Sequence, residues 1–146
     1  MTEQEKQSYI AKQTPLLKDK HLIGVYESNA IEKGKKILRK LRKKWNNIKF
    51  LCPELNNRRV IINNDSINHL DHTGDGDRDI TEIVKRVELF PYIEDIIKGG
   101  KYYNKKQGYS LIGRAMINNK ETGLRVILVE KGENLLYISI FCFDIV

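Results

Sequence analysis

The groups in this sequence best suited to chemistry are its histidines and a few polar residues embedded in apolar runs. His69 and His72 lie three positions apart, so a helix beginning at Ser66 would present both on one side. Imidazole titrates near neutral pH and can act as general base or general acid. The competing expectation is one capping or packing histidine and one loop histidine. His21, at the head of a short strand, reads as structural. Arg114 stands among Leu111, Ile112, Ala115 and Met116, where a guanidinium is costly to desolvate unless it meets a carboxylate or an anion. It fits an internal ion pair or a phosphate equally well. Arg125, between Leu124 and Val126, has the equivalent place in the next strand. By the strand period of two, Tyr137, Ser139 and Phe141 should share one face, with Ser139 as its small polar group. Such a serine either bonds to backbone or orients a substrate. Lys101, Tyr102 and Tyr103 follow a double glycine and suit an edge on which a base could stack.

The recognised local signatures of nucleotide, metal and hydrolase chemistry are missing. There is no Walker loop, GxGxxG, HExxH or GxSxG. Cys52 and Cys142 form neither a disulfide framework nor a CxxC clip, and zinc would need carboxylate help. DHTGDGDRD (71–79) alternates acids as a calcium loop does. Counted from Asp75, however, the sixth and twelfth positions are Ile80 and Arg86 rather than Gly and Glu. Asp79 followed by Glu82 makes a capping-box-like helix start instead. No metal and no cofactor is expected.

The charge is concentrated. The 146 residues hold 26 Lys+Arg and 19 Asp+Glu, for a net +7. Glu27 to Phe50 contains nine bases and two acids, which leaves 17 of each elsewhere. Ile31, Ile37, Leu38, Leu41 and Trp45 recur at helical spacing, so a basic amphipathic helix is expected at about 28–46. Lys35, Lys36, Arg39, Lys40, Arg42, Lys43 and Lys44 then form a polycationic surface around a thin apolar stripe. That is the electrostatic footprint of a polyanion partner such as a nucleic acid, bound through counterion release. The stripe is narrow for a membrane interface, and no apolar run spans a bilayer.

The elements that must position these groups follow from pattern. Residues 1–20 read as an arm or linker, and 21–146 as one domain. HLIGVYE (21–27) and Val60-Ile61-Ile62 suit short strands. ITEIVKRVELF and PYIEDIIKGG suit helices, separated by Pro91. YYNKK, YSLIGRAMIN, GLRVILVE and LLYISIFCFD then alternate with turn compositions, which implies an antiparallel meander of about four strands. Helices followed by strands predict an α+β domain with the helices packed on one sheet face.

The order RVIINNDSINHLDH, TEIVKRVELFPYIEDII, YSLIGRAMI, LRVILVE and LLYISIFCF resembles the barnase/EndoU/colicin/RelE-like (BECR) ribonucleases, in their phage- and polymorphic-toxin-associated branch. The resemblance covers about residues 58–144. It implies a metal-independent endoribonuclease, with His69 as the helix histidine, His72 as its looser counterpart, Arg114 as the strand arginine and Ser139 as the final-strand hydroxyl. Arg125, Lys101 and Tyr103 would support the RNA. It also implies toxin action on RNA in the cytoplasm as a monomer, a cognate immunity or antitoxin protein, and delivery within a larger secreted or phage protein. The N-terminus shows no apolar leader segment. Two alternatives stand beside it: a non-catalytic RNA- or DNA-binding module, and a phage or interaction protein docking on an acidic partner.

Overall fold

A computed structural model describes residues 1–20, 36, 39, 40, 43, 48–63, 72–73, 76–77, 89–106 and 108–146. The expected strand at 21–27, the helix start at Ser66, residues 80–88 of the helix expected over 80–90, and most of the basic helix lie outside the described residues.

Helix α1 (Glu3–Ala11) begins at a capping box. The Thr2 hydroxyl accepts from the Glu5 N–H at 3.1 Å, and the Glu5 carboxylate accepts from the Thr2 N–H at 3.3 Å. Strand β1 (Leu16–Leu17) follows directly. Residues 3–17 are thus built into the domain and do not trail from it as an arm. Strands β2 (Ile48–Cys52) and β3 (Arg58–Ile62) form an antiparallel pair. Their connection runs through a 3-10 turn at Pro53–Leu55 and then Asn56 and Asn57 at φ 59° and 58°, which asparagine tolerates. Strands β4 (His72–Thr73) and β5 (Gly76–Asp77) pair as a small separate ladder. A 3-10 turn (Phe90–Tyr92) leads into helix α2 (Ile93–Gly99). Strands β6 (Lys101–Lys105), β7 (Tyr109–Ile117), β8 (Lys120–Lys131) and β9 (Asn134–Asp144) complete the chain.

The four C-terminal runs pair in succession and antiparallel, as their short links require. The sheet is nevertheless larger than four strands and mixed. Its order is β1-β7-β8-β9-β3-β2, with β6 also pairing β7. Strand β3 joins β9 in parallel through Val60↔Leu135 and Ile61↔Leu136, and β1 joins β7 in parallel through Leu16↔Arg114. Such long-range pairings leave no local signal in sequence, which is why the four-strand antiparallel expectation fell short.

The helices also occupy both faces of the sheet, not one. On one side Ile93, Ile96 and Ile97 of α2, with Phe90, pack against Leu111, Ala115, Leu124, Val126, Leu128 and Ile140. Each such aliphatic side chain removed from water contributes about 1.5–3 kcal/mol. On the other side α1 lies over β6–β9 with Gln7, Ser8 and Ala11 turned inward. The Ser8 hydroxyl accepts from the Val146 N–H at 3.0 Å, and Lys12 donates to the Val146 carbonyl at 2.7 Å.

Strand β9 breaks the expected alternation. Ser139 pairs with Ile127, but Tyr137 pairs with Leu128, so β9 carries one extra residue there. Tyr137 turns into the α2-side core, its ring perpendicular to that of Phe90 at 6.1 Å. Ser139 and Phe141 stay on the α1 side. The expectation that Tyr137 shares their face is corrected by this bulge.

Candidate nucleic-acid interface

Directly opposed residues of an antiparallel ladder share a face, as do alternate residues of one strand. The register aligns Arg114 with Gly123, Ile112 with Arg125, and Ser110 with Ile127. It also aligns Arg125 with Phe141 and Ile127 with Ser139. Arg114, Arg125, Ser110 and Ser139 therefore lie on the α1 side, opposite the α2 core. Arg125 is the diagonal neighbour of both Arg114 and Ser139, a spacing of about 7–8 Å between backbones. Lys101 pairs with Ile112 and shares the face. Tyr102 pairs with Leu111, points the other way and is 42% exposed.

Arg125 is the best-defined cation of this face. Its Nε and Nη2 donate to the Ser110 hydroxyl at 3.0 and 2.8 Å, and Nη2 also reaches the Asn104 side-chain Oδ1 at 3.4 Å. The guanidinium lies 5.3 Å from the centre of the Tyr103 ring and 5.7 Å from that of Phe141, both within cation–π range. Burial, with the Glu3 carboxylate accepting from its hydroxyl, pushes the Tyr103 phenol up to about 12. The same bond holds Glu3 below the usual carboxylate range.

Arg114 has taken the ion-pair option. Its Nη1 meets Glu121 Oε1 at 2.5 Å, and its Nε donates to the Thr14 carbonyl at 2.9 Å. Glu121 stands opposite Met116, two positions along from Arg114, so the pair ties β7 to β8 and to the end of the α1 segment.

His69 and His21 lie outside the described residues. His72 begins β4 and pairs with Asp77, so the helix expected from Ser66 does not extend through it. Within the basic segment Lys36, Arg39, Lys40 and Lys43 are helical and exposed. Lys35, Arg42 and Lys44 lie outside the described residues. No group of three metal-ligating side chains occurs among the described residues, and none of their helices is long and apolar enough to cross a membrane.

Two groupings escaped sequence reading. Ser110 and Asn104 hold Arg125; the alternation Ser110-x-Ile112-x-Arg114 was the available signal for the first, whereas Asn104 sits beside an irregular step in β6 that no pattern marks. At the end of the sheet, Glu130 Oε1 accepts from the Tyr109 hydroxyl at 2.7 Å, Lys105 at 3.2 Å and Arg58 at 3.3 Å. These donors hold its carboxyl down at about 2. Lys105 and Arg58 also lie 4.7 and 5.7 Å from the Tyr109 ring centre. Members 72 positions apart in sequence gave no motif.

Compared with family models, curated proteins and solved structures, the chain has no match in any of the three.

Proposed function

We propose that this chain is an RNA-directed domain acting as a metal-independent endoribonuclease of toxin type. The reading rests on the gathering of Arg114, Arg125, Ser110 and Ser139 on one sheet face, away from the α2 core. The exposed cations Lys36, Arg39, Lys40 and Lys43 supply a sequence-independent grip on phosphates.

The chemistry needs no metal. A base removes the 2′-hydroxyl proton, the resulting oxygen attacks the adjacent phosphorus, and an acid protonates the departing 5′-oxygen. The products are a 2′,3′-cyclic phosphate and a free 5′-hydroxyl. His69 and His72 are the candidates for the two proton transfers. Arg125 would face the charge that develops on the phosphorane, and Ser139 would orient the phosphate. Arg114, already bound to Glu121, would position the strand and not touch the substrate. A cognate immunity protein would cover the exposed cations Lys36, Arg39, Lys40 and Lys43.

A second reading has its own support. Both strand arginines are already hydrogen-bonded within the protein, as expected of a domain that binds RNA without cutting it. Incubation with total RNA in EDTA separates the two. Cleavage to cyclic-phosphate ends that falls about 10²–10⁴-fold in His69→Ala supports the enzyme. Intact RNA that is bound and then released by salt supports the module. Absence of binding at low salt removes both and leaves a protein partner of acidic surface.

A further inference from the structure

Beside Arg125, an open groove of about 440 Å³ runs between α1 and β6. Its walls include Tyr9, Lys6 and Glu3 from the helix, and Tyr103, Asn104 and Lys106 from the strand and its end. We propose that this groove is a subsite for one unstacked nucleotide of single-stranded RNA; the proposal rests on the RNA reading above and says where a base is held.

The composition of the groove carries the inference. Its volume falls in the range of small-ligand sites. Tyr9 is 62% exposed, a large aromatic surface left in water at the mouth of a concave site. Tyr103 is half-buried beneath, fixed from one side by the Arg125 guanidinium and at its hydroxyl by Glu3. A ring held in this way loses little freedom when a base is laid against it. Lys6 and Lys106 are exposed, where flanking phosphates of a bound strand would lie. The Asn104 amide nitrogen offers a donor to a base edge, while its side-chain oxygen accepts from Arg125. Glu3 is the one acid among these lining residues, and its charge is already engaged by Tyr103 and countered by Lys106 and Arg125. Aromatic faces with flanking cations select unstacked bases without strong sequence preference, whereas a duplex keeps its base faces covered.

The test uses the intact chain, fluorescein-labelled hexauridylate, the same hexamer annealed to its complement, and total tRNA. The expected result is that the single strand shifts the ring NMR signals of Tyr9 and Tyr103, and that the duplex does not. Tyr9→Ala, an exposed site whose truncation leaves the fold intact, should weaken hexamer binding about tenfold. Lys106→Gln should lower the slope of log affinity against log salt by about one. Unshifted Tyr9 and Tyr103 signals, or unchanged hexamer affinity in Tyr9→Ala, with tRNA still bound, would overturn the groove and spare the RNA reading. Failure of wild-type protein to bind either RNA at low salt would overturn both.

Discussion

Gly113 immediately precedes Arg114, and the structure gives it a packing role that can be measured. A Cβ built at Gly113 would lie 2.3 Å from Ile96 Cδ1 and 3.7 Å from Ile96 Cγ1. The first distance is impossible and the second is ordinary contact. Helix α2 therefore seats one methyl group of Ile96 in the space glycine leaves on β7. Ile96 is 1% exposed, so its methyl cannot swing into solvent, although it is the flexible end of its side chain. Gly113→Ala should cost about 1–3 kcal/mol, the usual range for overpacking a filled core. Ile96→Val removes Cδ1 alone and should cost about 0.5–1.5 kcal/mol by itself. In the double variant the clash is gone and the nearest remaining atom is the one at 3.7 Å. Its stability should fall within about 0.5 kcal/mol of Ile96→Val, giving a favourable coupling of roughly 1–3 kcal/mol, nearly the whole cost of Gly113→Ala. Urea titrations followed by far-ultraviolet circular dichroism on all four proteins complete the cycle, with an unchanged m-value as the control. Strict additivity of the two substitutions would refute the packing argument, as would a fully stable Gly113→Ala.

Other outcomes follow from the side-chain clusters. Glu130 has a folded-state pKa of about 2, below its ordinary 4.5, so its stabilising contribution is complete above that ordinary value and is lost as pH falls toward 2. Wild type and Glu130→Gln should thus differ in stability at neutral pH and converge in acid; a gap independent of pH would contradict the cluster. Tyr103 should ionise near pH 12, and Glu3→Gln should bring that midpoint down toward the ordinary 10, read by ultraviolet difference absorbance against a Tyr103→Phe control. Cys142 is exposed, while Cys52 is fully buried with its thiol pushed up by burial. A thiol reagent should therefore label one site quickly and the second only after denaturation. Two equally fast sites would show that the β2 end of the core is open.

The sequence alone determined the elements whose signals are local. Strand-like runs bounded by turn residues located β7, β8 and β9 to within a few positions, and their short links required antiparallel pairing. Clustered lysines and arginines marked the basic segment, because net charge is a property of composition. Only the tertiary structure decided the remainder. Parallel docking of β3 on β9 and of β1 on β7 depends on contacts between distant segments, and neither strand advertises its neighbour. The bulge that sends Tyr137 to one face and Ser139 to the other needs a single extra residue, too small an event to disturb the hydrophobic pattern. Whether a strand arginine meets an acid or waits for a phosphate was equally open for Arg114 until Glu121 lay beside it. Desolvation dictates that such a charge must find a partner; which partner it finds is settled by register alone.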